Sequence, residues 1–208
     1  VQLSAKNFQL QSENQKLLAQ VASLQDSLRT KEALTGMSAN NPQNDLQVVL
    51  VNTIGFDSVQ DSILLDRGSD DGILENMPVI DSEKVLYGKV VAVYKNYSKA
   101  MLISDESSIV NVKIQDSDIA KPPIYGAVKG SGNRSCYLDL VPNESEINSG
   151  QVLVTSALEG VFPKDLLVGK ITAPSKNDQR PFQTAKIEPF FNMQKDGKLF
   201  IITNYKSE

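Results

Sequence analysis

The side chains that most often carry catalysis in proteins are scarce in this sequence. Histidine is absent from its 208 residues, and Cys136 is the single cysteine. A Ser-His or Cys-His nucleophile pair therefore cannot form, and imidazole-bearing zinc sites are excluded. Ser156 follows an apolar run that ends at Thr155, but no histidine or adjacent lysine is there to activate it. We expect no catalytic residue, no metal and no cofactor, and we interpret Cys136 as a small core or surface side chain.

Two glycine-rich segments superficially suggest ligand-binding loops. Residues 66–72 (DRGSDDG) are acidic, but no Glu closes the segment at the twelfth position of a calcium-binding loop. Residues 129–133 (KGSGN) lack a phosphate-cradling motif and are typical of a hairpin connection. We interpret residues 66–72 as a turn in which Gly68 and Gly72 adopt positive φ and the Asp side chains cap the backbone.

The first 35 or so residues show the heptad spacing of a coiled coil. Leucine at the d positions, with Asn or a β-branched residue at the a positions, favours two parallel helices, because Asn amides pair across the seam. The alternative is one amphipathic helix packed on its own domain, but the apolar stripe is narrower than such a helix usually shows. We predict a parallel homodimer with these interface residues: Leu3, Asn7, Leu10, Asn14, Leu17, Val21, Leu24 and Leu28.

The periodicity changes after this helix. Residues 36–45 are rich in Asn, Ser and Pro, which indicates a linker. From Leu46 onward, short β-branched runs at spacings near ten residues are closed by Gly, Asp, Asn or Ser. This pattern is typical of an antiparallel barrel or sandwich. We predict an all-β body that follows a coiled-coil helix over residues 1–35.

A weak internal repeat divides the β body. Residues 87–90 (YGKV) and 168–171 (VGKI) share an apolar-Gly-Lys-apolar pattern, and Gly88 and Gly169 lie 81 positions apart. Glycine in such a strand commonly marks a bulge or a tight corner. We therefore predict two small barrels of similar design, with Gly150 as a further turn position.

We place the first barrel at residues 46–120 and the second at 121–208, and we allow for strands exchanged between them. Phe162, Phe190 and Phe191 lie in loops or at strand ends. These aromatic side chains either plug the barrels or form exposed anchors for a partner, and we take them as candidate partner-binding residues.

Charge and hydropathy argue against a nucleic-acid partner and against a membrane-spanning segment within this sequence. The formal net charge is -4, the pI is near 5.0 and no basic stripe occurs, so we expect no nucleic-acid partner. No run of 18 or more apolar residues is present, and no signal peptide is visible. Because Val1 already lies within the helical pattern and no Met precedes it, we expect a fragment, and a segment upstream of Val1 could be an anchor.

Two segments resemble MreC, the rod shape-determining family of bacteria. Residues 65–91 (LDRGSDDGILENMPVIDSEKVLYGKVV) are similar to its Asp-Lys-Gly-Ser turn, Met-Pro-Val strand and Val-Gly-Lys-Val element. Residues 149–171 (SGQVLVTSALEGVFPKDLLVGKI) are similar to its Thr-Ser-Gly, Phe-Pro-x-Gly and Val-Gly-x-Val elements. Gln151, Ala157 and Asp165 depart from the pattern and put particular turn geometries in doubt.

The resemblance implies two six-stranded β-barrels, arranged somewhat like a chymotrypsin-type protease without its triad. It also implies an inner-membrane protein with one transmembrane helix, whose present portion lies on the periplasmic or extracytoplasmic side. The implied role is a non-enzymatic scaffold that links actin-like MreB filaments and MreD to peptidoglycan synthesis, with a class B penicillin-binding transpeptidase as partner. The lack of histidine agrees with that role.

Two other functions stay open from the residues. A degenerate serine hydrolase on a double barrel would use Ser156, although no base is available to it. A periplasmic adaptor of an efflux or secretion system also joins a coiled coil to barrels. Those adaptors usually carry a helical hairpin inserted in a β domain, whereas here one helix lies at the N-terminal end.

Overall fold

The computed structural model describes residues 46–115, 122–177, 179–193 and 198–204, together with Gln20, which is helical and exposed. The interface residues predicted for the coiled coil lie outside the described residues, as does the linker over 36–45. The β body belongs to one compact unit, Gln43–Glu208.

Twelve strands make up the described β body. In chain order they are β1 Gln47–Asp57, β2 Ser62–Leu65, β3 Pro78–Ile80, β4 Leu86–Val93, β5 Ser98–Leu102, β6 Ile109–Gln115, β7 Ile124–Gly130, β8 Cys136–Pro142, β9 Val152–Thr155, β10 Leu167–Ser175, β11 Phe182–Pro189 and β12 Lys198–Asn204. Two short 3₁₀ turns, Ser69–Asp71 and Leu158–Gly160, lie in the connections.

The strands form two closed six-stranded barrels, which confirms the predicted fold class. Around the first barrel the order is β1-β12-β3-β4-β5-β2, and around the second it is β10-β11-β8-β7-β6-β9. All pairs between the strands are antiparallel, as expected for short alternating runs joined by tight turns. Large apolar side chains fill each interior, among them Phe200 in the first barrel and Leu138 in the second.

The two barrels exchange one strand in each direction. Their rings have the same order when β1–β5 are matched with β7–β11 and β12 is matched with β6. Strand β6 follows β5 in the chain but pairs with β7 and β9, whereas β12 pairs with β1 and β3. The chain therefore contains two six-strand repeats, and each repeat gives its last strand to the other barrel.

This exchange corrects the predicted domain boundary. A division between residues 120 and 121 separates the two repeats, but it assigns β6 and β12 to the wrong barrels. The first barrel consists of strands over 47–102 plus 198–204, and the second consists of strands over 109–189. The assignment depends on which strands pair, and strand periodicity, a property of neighbouring residues, does not predict pairs that lie far apart in the chain.

The repeat noticed in the sequence marks matching β-bulges. In β4, Leu86 and Gly88 face successive residues of β3, so Tyr87 is the extra residue. In β10, Leu167 and Gly169 face successive residues of β9, so Val168 is the extra residue. The predicted bulge or corner at both glycines is thus confirmed, and the added bend helps each short sheet to close.

Candidate interaction surface

The predicted glycine turns fall into two structural classes. Gly72 and Gly150 have φ of 78° and 92°, so they supply the left-handed backbone that a turn requires. Gly68 instead has φ of -141°, and its N–H donates to Asp71 Oδ2 at 3.1 Å. The Asp cap predicted for residues 66–72 is therefore present, whereas positive φ at Gly68 is not.

Gly88 and Gly169 lie within strands, directly after the bulged residues Tyr87 and Val168. A Cβ on Gly88 would lie 1.8 Å from the carbonyl oxygen of Met101. A Cβ on Gly169 would lie 2.7 Å from the carbonyl oxygen of Glu188. Both glycines permit close approach of two backbones beside a bulge.

A segment of the second barrel joins the first barrel through main-chain and aromatic contacts. Val85 and Leu167 form an isolated parallel bridge, and the Leu167 N–H donates to the Lys84 carbonyl oxygen at 2.9 Å. The Tyr87 hydroxyl donates to the Asn192 carbonyl oxygen at 3.0 Å, and the Tyr87 ring lies 5.8 Å from that of Phe191. Tyr87, the bulged residue of β4, thus points into the junction between the barrels.

Asp61 and Cys136 lie at a second point of this junction. The Arg134 N–H donates to Asp61 Oδ2 at 2.8 Å, and Asp61 is almost fully buried. The Cys136 thiol donates to the Ile103 carbonyl oxygen at 3.4 Å. Burial, with a smaller effect from the Asp61 charge, raises the pKa of Cys136 to about 12. Cys136 is therefore a protonated core residue at neutral pH, not a nucleophile.

The connection between β9 and β10, residues 156–166, is held by Thr155. The Thr155 hydroxyl donates to the Pro163 carbonyl oxygen at 2.5 Å and accepts from the Leu166 N–H at 2.9 Å. Phe162 within this connection is 8% exposed. The hydroxyl is fully buried, so it replaces backbone bonds that the turn of the chain removes.

The three aromatic residues proposed as anchors differ in exposure. Phe162 is buried within the connection 156–166, and Phe191 is buried beside Tyr87. Phe190 is half-buried, and its N–H donates to the Val168 carbonyl oxygen at 3.0 Å. Phe162 and Phe191 are therefore not exposed anchors, because both side chains are buried, which agrees with the plugging alternative.

No constellation for catalysis surrounds Ser156 in the described part of the chain. The Ser156 Oγ is buried without a hydrogen-bond partner, and its N–H donates to the Asn111 carbonyl oxygen at 3.0 Å. A serine needs a base within hydrogen-bond reach to act as a nucleophile. The geometry therefore gives the hydrolase alternative no support. Within the same residues, no three His, Cys, Asp or Glu side chains cluster as metal ligands.

Exposed apolar side chains on the outside of the first barrel are the feature that the sequence analysis missed. Ile54, Leu64 and Val91, which we term the outer face of the first barrel, are 58%, 36% and 36% exposed. Leu64 faces Gly55 across one strand pair and Lys99 across the other, and Lys99 in turn faces Ala92 of β4. The signal was the unbroken apolar run 63–65, since strict alternation would leave its middle residue polar.

A hairpin lies at one end of this sheet. The Tyr94 and Tyr97 rings stack with centroids 4.3 Å apart, and both are partly exposed. The Ser69 and Asp70 N–H groups donate to the Tyr94 and Lys95 carbonyl oxygens at 2.9 and 3.1 Å. Residues 66–72 therefore brace the hairpin.

A groove opens beside β12, where β3 ends. It has a volume of about 460 Å³ and is lined by Leu74, Glu75, Asn76, Met77, Pro78, Gly160, Val161, Ile202, Thr203 and Asn204. Leu74 is 63% exposed at its rim.

The described residues contain no helix with the length and hydropathy needed to cross a bilayer.

Comparison with known proteins finds a matching family model and relatives that all carry the name MreC. Residues 51–203 match the family model described as "Rod shape-determining protein MreC, barrel core". The cell shape-determining protein MreC of Escherichia coli (strain K12) is 30% identical over 205 residues, which cover 97% of this chain and 54% of that protein. The chain thus spans about half the length of this curated relative.

Solved structures share the double-barrel fold. One MreC structure has a TM-score of 0.72 at 24% identity and covers 87% of this chain and 99% of its own. A complex between penicillin-binding protein PBP2 and MreC from Helicobacter pylori contains a chain with a TM-score of 0.59 at 20% identity, covering 77% of this chain and 100% of its own. At these identities the similarity shows the fold alone.

Proposed function

Because the chain belongs to the MreC family of rod shape-determining proteins, we propose that it is a non-enzymatic scaffold of the cell-elongation machinery. In this role it controls rod shape by linking the cytoskeleton to peptidoglycan synthases. The observation that carries the proposal is a pair of closed barrels that matches the family model and exposes Ile54, Leu64 and Val91, while the described residues offer the Ser156 hydroxyl no hydrogen-bond partner. Exposed apolar patches on a soluble surface are typical of sites that bind proteins.

The proposed partner at this surface is a class B penicillin-binding transpeptidase. The Helicobacter pylori relative was solved in complex with PBP2, which supports a partner of that class. We assign the contact to the outer face of the first barrel, because Ile54 and Leu64 offer apolar area that folding leaves uncovered. MreD and actin-like MreB are proposed as further partners of the whole protein.

The proposed location is the periplasmic or extracytoplasmic side of the inner membrane. An anchor upstream of Val1 would hold the chain there, and the helix over residues 1–35 would lift the barrels from the lipid. Thirty-five helical residues at about 1.5 Å each give a stalk of roughly 50 Å.

A parallel dimer through the heptad residues is the proposed oligomer. Replacing both Asn7 and Asn14 by Leu should strengthen association and loosen the choice of oligomer, because buried Asn specifies two strands at a cost in stability. Sedimentation equilibrium of the 208-residue chain at micromolar concentration tests this. A monomer at every concentration would remove the dimer from the proposal.

Calorimetry with a purified class B transpeptidase tests the scaffold role. We expect the double variant Leu64→Asp, Val91→Asp to weaken binding at least about tenfold, since it places two charges in an apolar contact. The matched control is Ile109→Asp, which changes a 60% exposed apolar residue on the second barrel and should leave affinity unchanged. No measurable binding by the unmodified chain, or equal binding by all variants, contradicts the proposal.

A further inference from the structure

A second concave site lies on the outside of the second barrel, where the end of β10 and the first half of β11 run beside β8. We term it the β10–β11 cleft. It has a volume of about 290 Å³, and its lining includes Tyr137, Ala173, Pro174, Ser175, Thr184 and Lys186. This volume is at the small end of the range for ligand sites in proteins. The cleft therefore suits a short end group rather than a long segment.

Strand pairing assembles this lining from three strands. Tyr137 of β8 faces Lys186 of β11, and Lys186 in turn faces Ala173 of β10. Ala173 follows the bulged residue Thr172, whose hydroxyl donates to the Lys186 carbonyl oxygen at 3.0 Å. Because residues that face each other on adjacent strands place their side chains on the same face of a sheet, Lys186 stands between a large ring and a small methyl group. The small side chain of Ala173 leaves the hollow beside Lys186.

The lining offers hydrogen-bond donors and one positive charge. Lys186 is exposed and is the single charged residue among those lining the cleft. Ser175 and Thr184, which face each other across β10 and β11, add two hydroxyl groups. An ammonium group and hydroxyl groups can all donate hydrogen bonds to a carboxylate.

The acidic residues of the strands that form the cleft are paired with other lysines. Strands β8, β10 and β11 contain two acidic residues, Asp139 and Glu188. Asp139 Oδ2 lies 2.8 Å from Lys129 Nζ. Glu188 Oε2 lies 3.3 Å from Lys170 Nζ. Among the described residues, Lys186 forms no ion pair, so the cleft carries a positive charge that favours an anionic group.

The apolar part of the lining narrows the occupant further. The rings of Tyr137 and Pro174 give rigid contact area beside the charge. A ligand that matches the cleft therefore joins a carboxylate to a small apolar body. The free C-terminus of a polypeptide with small apolar last residues has this chemistry, and capture of a C-terminal carboxylate is a recurring mode of peptide recognition.

We propose that the β10–β11 cleft binds the free C-terminus of a partner polypeptide whose last residues are small and apolar. Lys186, with the Ser175 and Thr184 hydroxyls, binds the terminal carboxylate. The rings of Tyr137 and Pro174 contact the last side chains. This site goes beyond the scaffold role and does not depend on it, because it lies on the second barrel and not on the outer face of the first barrel.

The probe is the acetylated peptide Gly-Ser-Val-Ala with a free C-terminal carboxylate, titrated into the ¹⁵N-labelled 208-residue chain at constant ionic strength. We expect saturable amide shifts at Ala173, Ser175, Thr184 and Lys186 at peptide concentrations below about 1 mM. The same peptide with a C-terminal amide should bind at least about tenfold more weakly, because it lacks the charge. Sodium acetate at equal concentration should give no saturable shifts, because it lacks the apolar residues.

Two pairs of variants separate charge from shape. Lys186→Met keeps an unbranched side chain without the charge, so it should weaken binding of the free acid at least about tenfold. Lys89→Met makes the same change on β4 of the first barrel and should leave the affinity unchanged. Ala173→Asp and Ala173→Asn add side chains of nearly equal size at an exposed position, so Asp should weaken binding of the free acid more than Asn does.

Several results would overturn the proposal. They are the absence of saturable shifts at the cleft residues, equal binding of the free acid and the amide, and equal shifts with acetate. Unchanged affinity in Lys186→Met, or equal affinities of the two Ala173 variants, would overturn it as well. None of these measurements involves the transpeptidase, so this site and the scaffold role can fail separately.

Discussion

The two barrels share a strand order and a set of β-bulges, which we term the frame, and they differ in the connections between their strands. Both have the same ring of strands, and both carry a bulge directly before a glycine, at Tyr87 and at Val168. A second pair of bulges follows four residues later, at Val91 and Thr172. Because these bulges bend the strands at matching positions, both barrels keep the same geometry even though their connections differ.

The corresponding connections differ in length and in role. In the first barrel, residues 81–85 join β3 to β4, whereas residues 156–166 join β9 to β10 in the second. The longer connection buries Phe162 and leads directly into Leu167, which bonds to Lys84 of the first barrel. At the junction the second barrel therefore donates the Leu167 N–H and the first barrel accepts it at the Lys84 carbonyl oxygen, although the two rings of strands match.

Exposure also differs. Of the thirteen exposed large apolar residues in the described part of the chain, eight lie in the first barrel or its loops: Ile54, Phe56, Val59, Leu64, Leu74, Val91, Tyr94 and Tyr97. The first barrel therefore offers more apolar surface to a partner.

The largest expected effect concerns the matched glycines. Gly88→Ala should cost about 4 kcal/mol or prevent folding, because its Cβ would overlap the Met101 backbone, which cannot move like a side chain. Gly169→Ala should cost about 2 kcal/mol, since its nearest backbone atom is farther away, at 2.7 Å. Guanidinium unfolding of the 208-residue chain measures both values.

Gly150→Ala serves as the control for these two variants. No atom lies within 4 Å of its added Cβ, so only its φ of 92° is strained, and we expect a loss of about 1 kcal/mol. Equal losses at Gly88, Gly169 and Gly150 would contradict the argument that close backbone approach defines the shared frame.

The next effect concerns the longer connection of the second barrel. Thr155→Val should cost about 2 kcal/mol, because it leaves the Pro163 carbonyl oxygen and the Leu166 N–H without their buried partner. Hydrogen exchange should rise at Leu166 and Leu167. Thr155→Ser keeps the hydroxyl and should retain slow exchange at these amides. Unchanged exchange in Thr155→Val would show that residues 156–166 are held by other contacts.

A smaller effect is expected where the frames meet. Tyr87→Phe removes the hydroxyl that donates to Asn192 but keeps the ring beside Phe191, so we expect a loss of about 1 kcal/mol. Tyr94→Phe, in the exposed hairpin, is the matched control and should change stability by less than about 0.5 kcal/mol. If both variants lose the same stability, the Tyr87 hydroxyl has no special role at the junction.

Local patterns in the sequence predicted the frame well, because strand alternation, turn residues and the Gly-Lys repeat are properties of neighbouring residues. An exchange of strands was allowed for, but the identity of the exchanged strands, β6 and β12, was not predicted, since it depends on pairs such as Gln47 with Asn204, far apart in the chain. Phe162 and Phe191 show the same limit. An aromatic residue in a loop is exposed or buried according to what packs over it, and that neighbour is distant in sequence.

The smallest effect compares how the two barrels hold an aspartate beside equivalent strand pairs. In the first barrel, Asn52 donates to Asp66 Oδ2 through its side-chain amide at 2.7 Å. In the second barrel, Lys129 Nζ contacts Asp139 Oδ2 at 2.8 Å. Burial raises the pKa of Asp139, but the Lys129 hydrogen bond, the Leu140 N–H and the nearby positive charges outweigh it, so this pKa lies below its ordinary value. The hydrogen bond to Asp139 raises the pKa of Lys129.

These directions give a pH window for the second barrel. The Asp139 contribution is present above the unfolded pKa near 3.9 and is lost as pH falls through the lower folded value. The Lys129 contribution is present below its unfolded pKa near 10.4 and is lost as pH rises through the higher folded value. Lys129→Met should therefore cost about 0.5 kcal/mol at pH 7 and progressively less as Asp139 becomes protonated at acid pH.

Urea unfolding at pH 7 and pH 2.5, with an NMR titration of the Asp139 carboxyl group, measures this difference. Asn52→Ala is the matched change in the first barrel, and its cost should not require a protonated lysine, so it should persist from pH 7 to pH 11. A pKa of Asp139 that stays low in Lys129→Met would assign the stabilisation to the Leu140 N–H and Arg180. The two barrels would then hold their aspartates without a lysine, and the charged pair would not distinguish them.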